Sequence, residues 1–393
     1  MTAVWLVSDD GLATVDEVTT WLDDGELPLR IASRLRAGGR ASELSTAAIG
    51  AGVARRRARE RWPDADRLLF TREALEQASD PEVSRWRARR FQGTRSVMDL
   101  CAGIGGDTLA LGERVPSVIS VDLDVGRLHL LRHNAAIRGL DVATMAADAL
   151  LATPPADTWV HADPSRRDGE RRLRTLRDHR PSVPTLVDRH RRAPGLGIVL
   201  SPAIDLVDPD LPDAELEFVA LDGALTEAVA WIGATAIPGV HASATLLPSG
   251  ERRERSGAVP VLPVGPVGHH LIEVSSAAIR ARLHTVIGEE IGAWRLAERR
   301  ALLTADTLPD PSEWYRTRSV ETVLSVRAKE IRRWLRLHDE HPLELASHGW
   351  SGNLDALWRA IGRPPRGPQG RRLDVVRLDV GAVAILSVPP HAR

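Results

Sequence analysis

Residues 97–108 read Val-Met-Asp-Leu-Cys-Ala-Gly-Ile-Gly-Gly-Asp-Thr and join a predicted strand over 96–100 to a predicted helix that starts near Asp107. The glycines at 103, 105 and 106 allow a sharp turn and close approach of the backbone to a ligand. The loop leads into a helix N-terminus, where free N–H groups favour a polar or anionic group. The stretch has neither the Gly-x-Gly-x-x-Gly spacing of a dinucleotide site nor the Gly-Lys-Ser/Thr of a P-loop.

The pattern Asp-x-x-x-Gly-x-Gly-Gly-Asp resembles motif I of class I S-adenosylmethionine (SAM) dependent methyltransferases. The wording Asp-Leu-Cys-Ala-Gly-Ile-Gly-Gly-Asp-Thr is similar to the loop of the trimethylguanosine-synthase-like branch of that family. The resemblance implies SAM as the cofactor, held in part by this loop. The loop residues implied to bind it are Asp99, Cys101, Gly103, Gly105, Asp107 and Thr108.

The composition limits the class of protein, its partners and its compartment. The chain has 393 residues, 43% hydrophobic and 27% charged, which is ordinary for a soluble globular protein of two or three domains. A net charge of -1 means that any attraction to nucleic acid must be local. The single cysteine, Cys101, excludes an internal disulfide, and Lys329 is the single lysine, so arginine carries the positive charge. No signal peptide or membrane span is visible, and we expect a cytoplasmic protein.

The first 95 residues predict a helical region. Apolar residues recur with helical spacing over 15–22, 27–35, 44–58 and 73–90, and Asp80-Pro81 is typical of a helix start. A basic helix face is expected to be solvated, with a nucleic-acid surface as the alternative. The residues of that face are Arg55, Arg56, Arg57, Arg59 and Arg61.

Segments on either side of that helix start widen the resemblance. Leu75-Glu76-Gln77-Ala78-Ser79 and Arg87-Ala88-Arg89-Arg90-Phe91 are similar to the lead into motif I in bacterial methyltransferases with a C-terminal THUMP-like domain. The resemblance implies an α/β fold with a Rossmann-like class I methyltransferase sheet, parallel with an antiparallel terminal hairpin. The implied domains are a helical region over 1–95, the methyltransferase domain over 96–245, and a small α+β THUMP-like domain over 246–393.

A second candidate cofactor position follows the predicted strand 117–122. Asp122 lies sixteen residues beyond Gly106, about one crossover helix away, and its carboxylate could accept both hydroxyls of a ribose. Leu123 would then flank the adenine. A strand-end aspartate that caps the next helix, over 125–137, is the alternative and is compatible with that role. Gly139 is a helix-stop signal.

A third position follows the weak strand predicted over 141–146. In class I methyltransferases an aspartate at this place accepts a hydrogen bond from the adenine amino group. The resemblance therefore implies that Asp148 and the adjoining Ala149 contact the adenine.

The predicted strand 158–162 delivers Asp163-Pro164-Ser165-Arg166-Arg167, which occupies the place of the Asn/Asp-Pro-Pro-Tyr/Phe motif of amino-methylating enzymes. Asp163 is suited to accept a hydrogen bond or proton from an attacking amine, and Pro164 fixes the backbone beside it. Ser165, Arg166 and Arg167 are candidate substrate contacts. The second proline and the stacking aromatic of that motif are absent. A simple Asp-Pro turn is the alternative.

Arginines crowd the following loop up to residue 192. They could grip phosphates beside the site, or they could belong to a solvated loop in an arginine-biased chain. After a strand over 197–200, the apolar runs 216–220 and 227–232 flank Asp222-Gly223, a hairpin signal. An antiparallel pair at the end of a parallel sheet is how class I methyltransferases finish.

The remaining chain, 246–393, predicts an α+β domain. After a hairpin or linker over 246–264, the pattern predicts strands near 270–274, 316–323 and 343–347, helices over 277–297, 326–337 and 354–361, and a hairpin over 373–388. Glu273 with Ile279-Arg280-Ala281, and Trp314-Tyr315-Arg316, resemble the THUMP-like domain, which implies an RNA-presenting module. Val274 and Arg366-Gly367-Pro368-Gln369-Gly370 depart from that family's pattern. His269 and His270 are expected on the surface, and no metal site is predicted.

We therefore expect a SAM-dependent methyltransferase that acts on RNA, with a base nitrogen favoured. Two alternatives stay open: a methyltransferase for a small molecule or protein, and an RNA-binding scaffold that kept the fold without turnover. The near-neutral charge and the missing aromatic favour the first alternative, and the shortened Asp-Pro-Ser motif favours the second. The sequence does not define the oligomeric state.

Overall fold

The stretch over 96–112 folds as a strand, a tight turn and a helix in the computed structural model of the protein. The structure describes residues 2–168, 171–172, 175–338, 344–362 and 371–390. The chain divides into two compact units: residues 1–221 with 226–240, and residues 222–225 with 241–393. The domain boundaries predicted at 95 and 245 stay predictions.

The first unit combines helices with one large sheet. Its helices are α1 (Thr2–Leu6), α2 (Asp9–Asp23), α3 (Pro28–Ala37), α4 (Ser42–Ala58), α5 (Arg72–Gln77), α6 (Pro81–Ala88), α7 (Gly106–Gly112), α8 (Val125–Ile137) and α9 (Val183–His190). Its strands are β1 (Ser96–Leu100), β2 (Ser117–Asp122), β3 (Val142–Ala146), β4 (Trp159–Ala162), β5 (Arg167–Asp168), β6 (Arg171–Arg172), β7 (Gly195–Leu200), β8 (Glu215–Leu221) and β9 (Ala224–Gly233).

Within this unit the large sheet has the strand order β8-β9-β7-β4-β1-β2-β3. Strands β3, β2, β1, β4 and β7 run parallel, and β9 runs antiparallel to β7. The central strand β1 is buried from Val97 to Leu100, which fits its nearly continuous apolar sequence. The prediction of an α/β fold is confirmed. Because the strands are parallel, the loops after β1, β2, β3 and β4 meet at one edge of the sheet.

The N-terminal helices pack against the sheet's own helices. Buried side chains of this region, such as Ile31 of α3 and Leu69 in the loop before α5, share one apolar cluster with Ile104 after β1, Leu109 of α7 and Leu130 of α8. The side-chain amide of Asn134 ties α8 to this region by accepting a hydrogen bond from the Leu69 N–H and donating one to its carbonyl. The helices thereby help to fix α7 and α8 against the sheet.

The second unit has its own strands and helices. They are β10 (Ala242–Leu247), β11 (Glu251–Arg255), β12 (His270–Val274), α10 (Ser276–Arg280), α11 (His284–Glu290), β13 (Trp294–Arg295), β14 (Leu302–Ala305), β15 (Tyr315–Ser325), α12 (Ala328–Leu337), β16 (Glu344–His348), α13 (Leu354–Ile361), β17 (Arg372–Arg377) and β18 (Ala382–Val388). Strands β10 and β11 form an antiparallel hairpin. A seven-stranded sheet has the order β13-β14-β12-β15-β18-β17-β16, and α12 and α13 share an apolar cluster with β17 and β18.

One helix prediction needs correction. The helix predicted over 277–297 is two short helices, α10 and α11, followed by β13, because Arg282 and Gly292 adopt positive φ values of 60° and 63° that end each helix. The helix start predicted at Asp80-Pro81 is confirmed: it divides the helical run over 73–90 into α5 and α6, and Asp80 accepts a hydrogen bond from the Glu82 N–H as the cap of α6. No helix in the described part of the chain has the length and apolar character needed to span a bilayer.

Candidate active site

The glycine loop turns the chain between β1 and α7. Cys101, Gly103 and Gly105 have positive φ values of 62°, 56° and 96°. A Cβ at Gly105 would lie 3.0 Å from the side chain of Leu131, so this position has little room for a side chain as well as an unfavourable backbone. No atom lies within 4 Å of a Cβ built on Gly103. The backbone there is open to a ligand.

A cleft of about 890 Å³ opens beside this loop, along the carboxyl ends of the parallel strands. Its volume is in the range of small-molecule and cofactor sites. The cleft brings together most of the residues predicted from the sequence. These are Cys101, Gly103, Asp107, Asp122, Leu123, Asp148, Ala149, Asp163, Pro164, Ser165 and Arg166. The loop after α5 also contributes to the wall through residues up to Ser79.

Asp99, Gly105 and Thr108 do not line the cleft. Asp99 is only 1% exposed; it accepts hydrogen bonds from Thr108 Oγ1 at 2.5 Å and pairs with His161 Nδ1 at 2.7 Å. Its carboxylate therefore braces β1 against α7 and β4 from beneath the loop. The side chain of Arg167 lies outside the described residues.

Asp122 connects the ends of two neighbouring strands. Its Oδ2 accepts a hydrogen bond from the Gly103 N–H at 2.8 Å, and its Oδ1 accepts one from the Asp124 N–H at 2.8 Å. A carboxylate has about four acceptor positions, so each oxygen keeps capacity for one more donor. Such an oxygen pair, fixed by backbone on both sides, fits the two hydroxyls of a ribose.

The next stretch of the wall is formed by Asp148 and Ala149. Asp148 Oδ1 accepts a hydrogen bond from the Leu150 N–H at 2.9 Å, which fixes the turn after β3. The Ala149 carbonyl contacts His190 Nε2 of α9 at 3.1 Å. Leu123 directly follows β2, lines the cleft and is 75% exposed. An exposed apolar side chain beside a fixed aspartate fits an adenine ring and its amino group.

At the other end of the same wall, β4 leads into Asp163 and the loop that begins with Pro164. Residues 165 and 180 pair through both backbone hydrogen bonds, at 2.9 and 3.0 Å, which closes the base of the loop and brings His179 beside Arg166 in the cleft wall. Burial raises the pKa of the Asp163 carboxyl, while the Arg166 guanidinium opposes that shift. A carboxylate with a raised pKa is a better proton acceptor near neutral pH.

A buried arginine supports this region and was not predicted as a site residue. Arg87 of α6, 2% exposed, donates to Asp107 Oδ1 at 2.5 Å, to Glu227 Oε2 at 2.6 Å and to Ser79 Oγ at 2.9 Å. Burial alone would raise the pKa of Asp107, but the Arg87 guanidinium outweighs it and lowers that pKa. Burial raises the pKa of Glu227 to about 7, although Arg87 opposes that shift as well. The cleft therefore has an ionised carboxylate at Asp107.

Two buried histidines lie in this region: His179 lines the cleft, and His161 contacts Asp99 away from the lining. Burial lowers the pKa of His179 to about 4, and Arg166 adds to the shift, so its imidazole is neutral at pH 7. Burial would lower the pKa of His161, but Asp107 and the hydrogen bond to Asp99 outweigh it and raise that pKa. The sequence offered no signal for either residue, since His161 depends on a partner 62 residues away and the shift at His179 depends on burial in the folded chain.

Several arginines of the loop between residues 166 and 192 form ion pairs or hydrogen bonds within the protein. Arg177 pairs with Asp210, and Arg191 lies 3.7 Å from Asp188. Arg189 donates to the Leu150 carbonyl at 2.7 Å, in the turn after β3 that contains Asp148. The side chains at 171, 172 and 174 lie outside the described residues.

The basic face predicted on α4 also needs correction at one position. Arg55 is 3% exposed and donates to Asp16 at 2.5 Å and to the Leu68 carbonyl at 3.1 Å, so it is a core residue. Arg56 and Arg59 pair with Asp23, and Arg57 pairs with Glu76.

Among the described residues of the second unit, one group of side chains has metal-ligand atoms close together. Glu273, His348 and Asp374 have ligand atoms within 4.8 Å of one another. Arg372 contacts Glu273 at 2.8 Å and Asp374 at 3.0 Å. Because this cation already compensates both carboxylates, the group is an ion-pair network.

Comparison with known proteins defines the class. Residues 94–149 match the family profile of RNA cap guanine-N2 methyltransferases. An uncharacterized S-adenosylmethionine-dependent methyltransferase of Mycobacterium tuberculosis is 31% identical over 320 residues, which cover 80% of this chain and 86% of that protein. The chain belongs to the SAM-dependent methyltransferase family.

Two further similarities cover different shares of the chain. A 96-residue stretch, 24% of this chain and 20% of the relative, is 36% identical to the 23S rRNA (uracil(1939)-C(5))-methyltransferase RlmD of Chromohalobacter salexigens. A crystal structure assigned to a methyltransferase of Porphyromonas gingivalis superposes with a TM-score of 0.77 at 19% identity, covering 96% of this chain and 98% of that one. The shared fold thus extends over nearly the whole chain, and the protein is an enzyme that uses SAM.

Proposed function

We propose that this methyltransferase transfers the methyl group of SAM to RNA, with a base nitrogen as the favoured acceptor. The observation that carries the proposal is the placement of Asp122 and Asp163 in the wall of one open cleft, at the ends of β2 and β4. A cofactor whose ribose is held at Asp122 can then direct its methyl group toward Asp163. The similarity to RNA cap guanine-N2 methyltransferases and to a stretch of RlmD supports RNA as the substrate.

The proposed cofactor contacts follow the cleft wall. The Gly103 turn takes the amino-acid end, the Asp122 carboxylate takes the ribose hydroxyls, and Leu123 and Asp148 with Ala149 hold the adenine. Asp107, kept ionised by Arg87, offers its charge near the cationic part of SAM. Each role uses a side chain or backbone group that reaches the cleft.

The proposed acceptor contacts lie after β4. Methyl transfer is an in-line displacement in which the cofactor carries its own leaving group, so the protein positions the nucleophile and accepts its proton. Asp163 receives that proton or hydrogen bond, and Pro164 fixes its backbone. Ser165, Arg166 and Arg167 orient the substrate, and Arg166 supplies positive charge suited to a phosphate. Residues 246–393 are proposed as the THUMP-like module that presents RNA.

The test is transfer of tritiated methyl from SAM into fractionated cellular RNA, followed by mass spectrometry of the nucleosides. Asp163→Asn is expected to lower kcat roughly 100- to 10,000-fold while the Kd for SAM stays unchanged, because the proton acceptor is lost and the cofactor contacts are kept. Asp188→Asn is the matched control, since Asp188 is exposed on α9. Full activity of the Asp163→Asn enzyme would reject the assigned role.

A small molecule or protein is the second candidate acceptor. Among the described residues that line the cleft there is no Phe, Tyr or Trp, so stacking of a planar base there would depend on the His179 imidazole or the Arg166 guanidinium. Label that enters protein or small-molecule fractions, with none in RNA, would establish this candidate in place of the first.

A further inference from the structure

One helix of the second unit presents a row of cations. Lys329, Arg332, Arg333 and Arg336 of α12 follow the spacing i, i+3, i+4, i+7, which places them on one face over two helical turns. All four residues are exposed. The row extends over about 10 Å at about 1.5 Å per residue. We refer to these four residues as the α12 cation row.

The other side of α12 is fixed in the core. Ile331 and Leu335 are 0% and 1% exposed and share an apolar cluster with Leu373 and Leu386 of the sheet. The helix is therefore a rigid support, and its apolar side is not available for insertion into a lipid surface. What the row offers a partner is charge alone.

Among the described residues, no carboxylate pairs with these cations, in contrast to other arginine-rich segments. In the described part of the chain, none of the four residues of the row makes an ion pair or a side-chain hydrogen bond. The acidic residue of the helix, Glu330, accepts hydrogen bonds from the backbone and the hydroxyl of Ser325. Like charges at i, i+4 repel one another, so the row destabilises its own helix slightly.

We infer that the α12 cation row binds the phosphate backbone of RNA. This inference deepens the proposed RNA methyltransferase function and rests on it. Successive phosphates of one strand advance by about 3.4 Å along a duplex, so a row of about 10 Å meets about three of them. A cationic row without an aromatic face recognises backbone and carries no base readout. It holds RNA in place and leaves the choice of acceptor base to the cleft.

The experiment compares two triple variants of the full chain. The first, Arg332→Gln, Arg333→Gln and Arg336→Gln, removes three charges from the row. The matched control, Arg56→Gln, Arg57→Gln and Arg59→Gln, removes three charges at the C-terminal end of α4 that already face carboxylates. Glutamine keeps helix propensity close to that of arginine. Thermal unfolding and titration with SAM establish that both variants are folded.

Binding of a fluorescein-labelled RNA hairpin is measured by anisotropy from about 50 to 200 mM salt. The row variant is expected to bind about tenfold more weakly, because three exposed charge contacts are lost. The slope of log K against log salt should fall by about 2 to 3, at roughly 0.7 to 0.9 per phosphate contact. The α4 variant should keep the affinity and slope of the wild type.

Three outcomes would overturn the inference. Equal losses in both variants would mean that total charge, and not the row, attracts RNA. Unchanged RNA binding by the row variant, with wild-type methyl transfer into RNA intact, would reject the row and leave the proposed function standing. Loss of binding to phosphatidylserine vesicles with RNA binding kept would assign the row to a membrane surface. If the wild type methylates no RNA but the slope still falls, the row stands as an RNA-binding surface and the proposed acceptor is wrong.

Discussion

Two helices with similar arginine content have opposite surroundings. The C-terminal half of α4 carries Arg55, Arg56 and Arg57, with Arg59 just beyond it, and each of these faces a carboxylate. The α12 cation row carries as many positive charges and faces none among the described residues. In a chain with one lysine, an arginine run by itself therefore says little about a partner. The placement of carboxylates around it decides whether the charge is available.

The paired arginines also differ in what they hold. Arg87 joins α6 to the start of α7 and to β9 through Asp107 and Glu227, all of them buried. Arg55 joins α4 to the buried backbone at Leu68. These arginines stabilise the sheet and its covering helices, and the exposed ones contribute little.

The largest effect is expected from Arg87→Met. It leaves the buried Asp107 carboxylate without its cation, which should reduce the free energy of unfolding by about 3 to 5 kcal/mol and weaken SAM binding. Urea unfolding and calorimetric titration with SAM measure both. Arg85→Met on the same helix is the control, at about 0.5 kcal/mol. A loss below about 1 kcal/mol at Arg87 would break the distinction between structural and surface arginines.

The next effect concerns pH at the same network. Burial raises the pKa of Glu227 from 4.5 to about 7, so between these values the native state binds more protons than the unfolded state. Stability should therefore fall as pH rises from about 4.5 to 7, by about 3 kcal/mol from this group. Glu227→Gln cannot titrate, and its stability should fall correspondingly less over that window. Unfolding is measured at several pH values for the two proteins. If the free energy of unfolding changed equally with pH in both, this expectation would be contradicted.

A smaller effect is expected from Arg55→Met. The substitution leaves the buried Leu68 carbonyl without its side-chain donor, which should cost about 1 to 3 kcal/mol. Asp16 is 67% exposed and stays solvated, so Asp16→Asn should cost less than about 1 kcal/mol. Chemical unfolding of both variants checks the order. If the two losses were equal, the ion pair and not the buried hydrogen bond would hold this arginine.

The smallest effects should have opposite signs. Arg59→Gln removes pairs with Asp23 and Asp66 and should destabilise by about 0.2 to 1 kcal/mol. Arg333→Gln removes repulsion within the α12 cation row and should be neutral or stabilise by about 0.2 to 0.5 kcal/mol. Thermal unfolding at low and high salt tests both substitutions. The two effects should have opposite signs at low salt and should both shrink at high salt, because salt screens them. A destabilising Arg333→Gln would indicate an intramolecular partner for the row.

Local pattern predicted the elements of the sheet closely. The strands predicted over 96–100 and 117–122 and the helix over 125–137 coincide with β1, β2 and α8. These segments have strong apolar periodicity and clear end signals, so neighbouring residues suffice to define them. The helix predicted over 277–297 was wrong because helical spacing does not reveal a single residue, Arg282, in the left-handed region.

The cleft was predictable only in part. Asp122, Asp148 and Asp163 each follow a parallel strand, and parallel strands bring their carboxyl ends to one edge. Asp99 lies within β1 itself and points its carboxylate into the core, toward Thr108 and His161. Arg87 and Glu227 are 140 residues apart in sequence, and no local signal connects them.

The sequence by itself determined the parallel sheet, the glycine turn and the strand-end carboxylates, because these depend on residue spacing over short distances. Only the tertiary structure decided which charges are buried, paired or free. Ion pairing depends on partners that the fold brings together from distant segments, and the energy of a charge changes with its distance from water. That is why the arginine runs of α4 and α12 look alike in sequence but differ in how many of their charges are paired.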